Sequence, residues 1–326
     1  MKRLILTSSS GSGLMRSSPA DQVILFTFRF VGDRLPSADE LAIYVATRSD
    51  KNDPVEHWST FAGRWRDGAK ARNHLSLLEF CEPYDIVELW FDPDPNDQLQ
   101  LIWLLDHFRS DPETAAKLRL RLVDFDLTMM EYDGPEEENV HVVDVTAADL
   151  EIASASWQAY RATTPEACFD LLHRDLSAFP LLRPALIDLL DELPSSATGL
   201  GATEVRLLEL IANGYSGTNA LFYRRTLRQR RVFNDMETGS LLEGLAHGPR
   251  PAVAGLDDEP RVLSKENHRG RTEAYRRSRL SLTEFGKAIL PHKEDFSRHN
   301  PIDRWWGGTR LTNDRLWRLH PTLMKP

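Results

Sequence analysis

The sequence predicts the α/β fold class, with an amino-terminal parallel-sheet α/β domain followed by a helical region and a further small domain. Two observations support this prediction. Short apolar segments alternate with helical patterns up to residue 145, which is typical of a parallel α/β domain. From residue 146 onward the apolar periodicity is mainly helical. We therefore expect an α/β head at residues 1–145, a helical connector at 146–199 and a third domain at 200–326.

Five short segments of the head are rich in Val, Ile, Leu or Phe and are predicted to form strands. After the second of them, Ser37 and Glu40 have the spacing of a capping box, which opens a helix that ends near Arg48. Another helix is expected after the third strand, up to Arg109. The predicted strands are Lys2–Leu6, Gln22–Phe30, Ile86–Phe91, Leu118–Phe125 and Val140–Val145.

The composition is that of a soluble globular protein. The 326 residues include 41% hydrophobic and 27% charged residues, and this length favours two or three domains. Cys81 and Cys168 are far apart and lack a CxxC pattern, which argues against a disulfide framework and against a cysteine-ligated zinc. The apolar start at Leu4–Leu6 is too short for a signal peptide, and no segment approaches the roughly 20 apolar residues of a membrane span. We expect a cytoplasmic protein.

The charge is divided unevenly along the chain, although the net value is −9. Up to Gly199 there are 18 Lys and Arg against 34 Asp and Glu, a net charge of −16. From Leu200 onward there are 22 against 15, a net charge of +7. The two parts are therefore expected to have different partners, or to attract each other.

A loop rich in Ser and Gly follows the first predicted strand. Ser9, Ser10 and Gly11 are candidate ligand-binding residues, because a Gly/Ser loop in this position can cradle phosphate groups. The loop lacks the Lys-Ser/Thr ending of a P-loop, and Gly11 and Gly13 are not followed by a third glycine at the dinucleotide-binding spacing. An ordinary flexible turn is the alternative interpretation.

An acidic turn follows the third predicted strand and contains Asp92, Asp94 and Asp97, with Gln98 next to them. If the strand is parallel to its neighbours, the turn lies at the carboxyl end of the sheet, where ligands usually bind. These four residues are therefore candidate ligand-binding residues. Clustered carboxylates also suit Mg²⁺ or Mn²⁺, so the three aspartates are candidate metal ligands.

Helix capping explains part of the same turn without any ligand. Asp94 has the position of an N-cap, Pro95 that of the first helical residue and Asp97 that of the third, where an acid interacts well with the helix dipole. Asp92 comes too early to cap the helix. We therefore expect Asp92→Asn to leave the free energy of unfolding nearly unchanged or to raise it, whereas Asp94→Ala removes a cap.

The connector is predicted to be helical. Thr146 and Thr164 have the positions of helix N-caps, and a further helix is expected at about Phe179–Leu193, with Glu192 on its outer face. The stretch Pro194–Gly199 has the composition of a linker.

The last part of the chain has the element order of a winged-helix-like domain, in which three helices precede a hairpin. A Leu-Thr-x-x-Gly-x-x-Ile/Leu step at Leu282–Leu290 follows the last predicted strand. The tail contains Trp305 and Trp306 and is expected to dock on the body of the protein, because it carries too much aromatic surface for a loose end. The predicted elements are helices at Thr203–Asn213, Thr218–Arg230 and Asp235–His247 and a strand at Tyr275–Leu282.

Arginines cluster at two places in residues 200–326 and are candidates for binding nucleic acid or a protein partner, because arginine neutralises phosphates. The third helix argues against entry into the major groove, since it begins with Asn234, Asp235 and Glu237. Pairing of the arginines with the acidic head is the alternative. The candidates are Arg224, Arg225, Arg228, Arg230 and Arg231 on the second helix and Arg276, Arg277 and Arg279 on the predicted wing.

The acidic turn belongs to a set of motifs spread along most of the chain. It reads Trp90-Phe91-Asp92, Asp94 and Asp97-Gln98-Leu99-Gln100-Leu101, and Trp157–Arg161, Gly199–Glu204 and Ile302–Gly308 support it. Together these motifs resemble a bacterial family, domain of unknown function number 1835, which has Trp-Phe-Glu, an Asp two places on, and the same Asp-Gln-Leu-Gln-Leu. The family has Asn-Gly-Asp-Ser after the first strand, where this chain has Ser8-Ser9-Ser10-Gly11. The resemblance implies an α/β head and a helical, winged-helix-like tail, and it implies no reaction.

These observations favour a cytosolic binding protein. In this hypothesis the head binds a small or phosphorylated ligand, and residues 200–326 contact nucleic acid or a protein partner. A divalent-metal-dependent hydrolase or phosphotransferase that uses the acidic turn is the first alternative. A purely structural interaction module is the second.

Overall fold

The structure is a computed structural model that describes residues 1–18, 20–48, 57–60, 68–129, 140–222, 232–257, 268–319 and 321–326. These residues belong to two compact units. The first comprises Met1–Phe30, Leu35–Ala162 and Asp170–Ala185, and the second comprises Val31–Arg34, Thr163–Phe169 and Leu186–Pro326. The boundaries predicted after residues 145 and 199 differ from this division.

The first unit is an α/β unit built on a five-stranded, mostly parallel sheet. Its strand order is β2-β1-β3-β4-β5, and β1 pairs in parallel with both β2 and β3. Leu4, Ile5 and Leu6 in β1 have no exposed surface, which is expected of a central strand that is covered on both faces. The strands are β1 (Arg3–Ser8), β2 (Gln22–Phe26), β3 (Ile86–Phe91), β4 (Leu118–Leu122) and β5 (Val142–Asp144).

The edge strand β5 departs from the predicted parallel sheet, because it pairs with β4 in antiparallel orientation. In this orientation Arg119 lies opposite Asp144, and the two side chains form an ion pair at 2.6 Å. A parallel neighbour needs a long crossover, usually with a helix, whereas an antiparallel neighbour does not. The first described turn after β4 is a single 3-10 turn at Leu127–Met129.

Strand β2 ends four residues earlier than predicted, because side chains of the helix after β3 bind the backbone that follows it. The Phe30 amide donates to Asn96 Oδ1 at 2.8 Å. The Phe28 carbonyl accepts from Asn96 Nδ2 at 3.0 Å and from Gln100 Nε2 at 2.8 Å. These amide side chains take the place of a strand partner.

Two helices of the first unit begin with capping boxes at residues that the sequence predicts as caps. Ser37 with Glu40 and Thr146 with Asp149 both form capping boxes. Leu99 and Trp103 are buried, as expected for the inner face of their helix. The helices are α1 (Leu14–Ser17), α2 (Ala38–Val45), α3 (Leu77–Cys81), α4 (Pro95–Phe108), α5 (Pro112–Ala115) and α6 (Ala147–Arg161).

Two helices, α7 (Glu166–Leu171) and α8 (Leu182–Asp191), each contain one of the boundaries between the units. The second unit then contains five helices among its described residues, together with three short antiparallel strand pairs. Within the described parts of the whole chain, no helix combines the length and the apolar composition needed to cross a bilayer. The helices are α9 (Ala202–Ala212), α10 (Thr218–Phe222), α11 (Asp235–His247), α12 (His268–Arg277) and α13 (Glu284–Ile289), and the strands are β6 (Val253–Ala254), β7 (Ser281–Leu282), β8 (Asp303–Trp306), β9 (Thr309–Thr312), β10 (Arg318–Leu319) and β11 (Leu323–Met324).

The stretch Pro194–Gly199 is part of the second unit and not a linker between domains. Thr198 and Gly199 are buried, and the Thr198 carbonyl accepts a hydrogen bond from the Phe296 amide at 2.7 Å. Gly199 has φ +69°, and a Cβ at this position would overlap the Asp295 side chain. Only glycine fits such a position, so the composition reflects a tight buried turn.

The segment Tyr275–Leu282, predicted as a strand, is mostly helix and loop. Helix α12 continues to Arg277, and only Ser281–Leu282 forms a strand, which pairs with β6. Ala274 and Tyr275 are half-buried and Ser278 is buried, while the residues between them are exposed, and this spacing is helical. Arg277 also pairs with Glu273 one helical turn earlier, at 3.1 Å.

The aromatic tail docks on the second unit, as predicted. Trp306 is buried, and its indole nitrogen donates to the Leu189 carbonyl at 2.6 Å. Arg304 pairs with Glu204 at 2.8 Å. The prediction that Glu192 faces outward is wrong, because this side chain is buried and accepts hydrogen bonds from the Thr203 amide and hydroxyl. Burial raises the pKa of Glu192 to about 7.

Candidate functional site

The candidate site lies at the carboxyl edge of the sheet, between β1 and β3. The chain order reverses here, since β2 lies on one side of β1 and β3 on the other. In open α/β sheets ligands bind at such a switch point, outside the carboxyl ends of the strands. The Ser/Gly loop follows β1 and the acidic turn follows β3, so the two predicted loops belong to the same edge. The parallel orientation assumed for the acidic turn is therefore confirmed.

The loop after β1 forms a 3-10 turn at Ser9–Gly13. Gly11 is buried, and a Cβ there would overlap the Thr7 side chain, so packing against β1 explains this glycine. Ser9 is exposed and Ser10 is half-buried. Of the three predicted ligand-binding residues in this loop, Ser9 and Ser10 are the accessible ones.

Ser8, which ends β1, makes the contact that joins the two loops. Its hydroxyl accepts from the Ser10 amide at 3.1 Å and donates to the Asp97 carboxyl oxygen Oδ2. Ser8 has no exposed surface and Asp97 is buried. The pair is therefore shielded from solvent, which argues against a serine nucleophile and its base.

Asp94 caps α4 as predicted. Its Oδ1 accepts from the Asn96 amide at 2.8 Å, and Pro95 is the first helical residue. Asp97, in contrast, turns its carboxyl group to Ser8 and to Asp92. The capping interpretation accounts for Asp94, and long-range contacts account for Asp97.

Asp92 has a structural role that the sequence does not reveal. Its Oδ1 accepts from the Asp94 amide at 2.9 Å, and its Oδ2 accepts from the Leu127 amide at 3.2 Å. The carboxylate thus ties the turn after β3 to the turn after β4. Gln98 donates from Nε2 to the Asp92 carbonyl at 2.7 Å, so it supports the same turn.

Burial raises the pKa of all three aspartates. The pKa of Asp94 rises to about 6, and the Arg29 charge opposes part of that rise. Burial also raises the pKa of Asp92, which the Asp94 and Leu127 amides counteract. The pKa of Asp97 is raised well above its usual value by burial and then by the negative charges of Asp92 and Asp94. Asp97 is therefore the member whose protonated form is favoured most strongly, and its hydrogen bond to the Asp92 carboxylate favours this form further.

A divalent metal fits this arrangement poorly. Among the described residues, no group of three or more His, Cys, Asp or Glu side chains is arranged to hold a metal ion. The physical reason is that Asp92 and Asp94 accept hydrogen bonds from backbone amides and Asp97 accepts one from the Ser8 hydroxyl. The prediction that Asp92, Asp94 and Asp97 surround Mg²⁺ or Mn²⁺ finds no support in this geometry.

The arginine candidates divide into two groups. Arg276, Arg277 and Arg279 are exposed, but the first two lie at the end of α12 and not on a wing strand. Arg279 donates from Nη1 to the Ser278 carbonyl at 3.2 Å. The others lie outside the described residues: Arg224, Arg225, Arg228, Arg230 and Arg231.

Sequence reasoning missed three groups at the carboxyl edge: Ser8, Arg29 and the Leu127 amide. Ser8 belongs to the predicted Ser/Gly loop and immediately precedes Ser9. The sequence signal that identified Ser9 and Ser10 could therefore also have identified Ser8. Arg29 follows β2 and acts on the pKa of Asp94. The Leu127 amide carries no side-chain signal that a sequence pattern can detect.

Comparisons with known proteins do not assign the site. No protein-family model matches the chain, and no curated protein is similar to it at a significant level. The resemblance to domain of unknown function number 1835 stays a prediction.

The first prediction concerns the unequal roles of Asp92 and Asp94. Asp92→Asn is expected to lower the free energy of unfolding by about 1–3 kcal/mol, because an Asn amide group must face one of the two backbone N–H donors. Asp94→Ala is expected to cost about 0.5–2 kcal/mol through loss of the cap. Chemical denaturation of both variants measures these changes. An unchanged free energy of unfolding for Asp92→Asn would show that the backbone hydrogen bonds of the Asp92 carboxylate contribute nothing to stability.

The second prediction concerns pH and Asp97. A carboxyl group whose folded-state pKa is raised stabilises the fold fully below its unfolded pKa, and this contribution is lost as pH rises through the folded pKa. Asp97→Asn keeps a neutral side chain that accepts from Ser8 and donates to Asp92. We therefore expect this variant to lose less stability than the parent protein between pH 5 and pH 8. Denaturation curves at both pH values test this, with the exposed Asp39→Asn as control, and equal losses in parent and variant would contradict it.

Proposed function

We propose that this chain is a two-part binding protein. Its first unit binds a small polar ligand at the switch point between β1 and β3, and its second unit contacts nucleic acid as a basic, winged-helix-like domain. The observation that supports ligand binding most strongly is the bond from Ser8 to Asp97, which fixes the loops after β1 and β3 at this edge. We also propose a cytoplasmic location, since both cysteines are free and buried thiols.

The buried carboxyl groups support a functional role for this edge. Placing Asp92 and Asp97 together in a buried position opposes folding, and strongly shifted groups of this kind concentrate at functional sites. Asp124 and Asp126 follow β4 at the same edge and are exposed. This excess of acid favours a neutral or cationic ligand and disfavours a phosphorylated one.

The accessible groups of the loops indicate how such a ligand is held. Ser9 offers a hydroxyl group and is exposed, and Ser10 and Asp94 are half-buried. A hydroxyl group both donates and accepts hydrogen bonds, while an ionised carboxylate only accepts them. The ligand should therefore carry hydrogen-bond donors, as amines, amides and sugars do.

The order of elements supports the nucleic-acid role of the second unit. Helices α9, α10 and α11 precede β6, which pairs with β7 in antiparallel orientation, and α13 follows. The exposed Arg276, Arg277 and Arg279 lie between β6 and β7, where a winged-helix domain has its wing. The first turn of α11 contains Asp235 and Glu237, which disfavours base contacts. We propose contact with phosphates and no sequence preference.

A metal-dependent hydrolase has less support, because the aspartate oxygens are engaged by protein donors.

The third prediction tests the ligand site by thermal unfolding with sugars, nucleosides and polyamines, each with and without Mg²⁺. A ligand at 100 times its Kd should stabilise the protein by about 2.7 kcal/mol. Ser9→Tyr should abolish the effect by obstructing the site. Ser110→Tyr should retain it, because Ser110 is also exposed but lies beyond the other end of α4. A ligand whose effect survives in Ser9→Tyr would place binding elsewhere.

The fourth prediction tests the nucleic-acid role with random-sequence duplex DNA in a salt series. Affinity should fall steeply between about 50 mM and about 200 mM salt, because bound phosphates release counterions. Replacing Arg276, Arg277 and Arg279 by Gln should reduce the slope of log K against log salt by about 0.9 for each phosphate that is no longer neutralised. Arg315→Gln, at another exposed arginine, should change little. Binding that is absent at low salt or indifferent to salt would remove this role.

A further inference from the structure

A second candidate site is a cavity of about 280 Å³ in the first unit, lined by helices α2, α4 and α6. Its apolar wall contains Leu41 and Val45 of α2, Trp103 of α4 and Trp157 of α6, all of them buried. Ala42 lies at the mouth, where its small side chain leaves room for entry. Pockets of this kind, mostly apolar with a few polar groups, are typical of small-molecule sites.

Two side chains of opposite charge line the same cavity. Asp106 of α4 supplies a carboxylate, which is half-buried and accepts a hydrogen bond from Gln158 Nε2 at 3.4 Å. Arg161 of α6 supplies a guanidinium that lies 5.8 Å from the centre of the Trp157 ring. Among the described residues, no carboxylate pairs with Arg161. The cavity therefore offers one anionic and one cationic group beside an aromatic wall.

His107 adds a neutral polar group to this wall. Burial lowers the pKa of its imidazole, so the ring is uncharged at neutral pH. Its Nε2 is buried and has no hydrogen-bond partner among the described residues. His107 therefore adds no charge to the cavity wall, and the charge balance of the cavity is set by Asp106 and Arg161.

We propose that this cavity binds a free α-amino acid with a large apolar side chain. The ligand carboxylate pairs with Arg161, the ligand ammonium group pairs with Asp106, and the side chain packs on Trp103 and Trp157. A zwitterion is the small ligand that satisfies both charges at once, because an apolar acid leaves Asp106 facing a second anion and an apolar amine leaves Arg161 without a partner. The volume suits leucine, phenylalanine or tryptophan.

This cavity is separate from the switch point. Asp106 follows Asp94 by twelve residues in α4, which corresponds to about 18 Å along the helix axis. Binding in the cavity is therefore independent of the ligand at the carboxyl edge. The two sites share α4, so one ligand is expected to alter the apparent stability of the whole unit.

Isothermal titration of the full chain with L-phenylalanine tests the proposal, with L-leucine and L-tryptophan in parallel. We expect saturable binding by at least one of them. We also expect at least tenfold weaker binding of the matching analogues, 3-phenylpropanoate without the ammonium group and 2-phenylethylamine without the carboxylate. Failure of all three amino acids to bind, or an analogue that binds as tightly as its amino acid, would overturn the proposal.

Two pairs of variants locate the binding. Ala42→Trp should abolish it by filling the mouth, while Ile43→Trp should not, because Ile43 is 46% exposed on the same helix and does not line the cavity. Arg161→Gln should weaken binding at least tenfold, while Arg109→Gln, at an arginine just after α4 that pairs with Glu151, should leave it unchanged. Circular dichroism confirms that each variant is folded. Binding that persists in folded Ala42→Trp would show that the ligand occupies another place.

Discussion

The hydrogen bond from Ser8 to Asp97 is the contact on which the carboxyl edge of the first unit depends. Through it the end of β1 is joined to α4, and through the bond between Asp97 and Asp92 it is joined to the turn after β3. Asp92 in turn accepts a hydrogen bond from the Leu127 amide, and this bond connects the turn after β4 to the other two loops. One chain of hydrogen bonds thus connects three loops that are distant in sequence. A buried network of this kind is rigid when every member is satisfied and costly when one is removed.

Features that depend on neighbouring residues could be predicted from the sequence. The capping box at Ser37 and the N-caps at Thr146 and Asp94 were predicted correctly, because a cap is formed within four residues. The parallel strand before the acidic turn was also predicted correctly, since the alternation of short apolar segments with helical patterns indicates a parallel sheet. The position of the candidate site follows from this parallel strand and from the rule that open α/β sheets bind ligands at the carboxyl ends of their strands.

Features that depend on distant partners could not be predicted. Asp92 and Glu192 are both acids near helix ends. Their neighbours in the sequence do not indicate that the Leu127 amide binds Asp92 or that the Thr203 hydroxyl binds Glu192. The orientation of β5 is set by its pairing with β4, and the apolar pattern of a strand is the same for a parallel and an antiparallel neighbour. The helix that ends at Arg277 was mistaken for a strand because its charged residues obscure the apolar spacing. In each case the deciding partner is supplied by the fold.

The central position of β1 has a consequence for how the first unit is made. Arg3 pairs with Ile86, so the strand that comes first in the chain receives one of its two neighbours 83 residues later. At a synthesis rate of about 5–20 residues per second, β1 waits several seconds or longer on the ribosome for that partner. During this time Leu4, Ile5 and Leu6, which have no exposed surface in the finished sheet, remain an apolar segment with an open strand edge. The earliest part of this unit to be synthesised is thus a part whose folding is completed late.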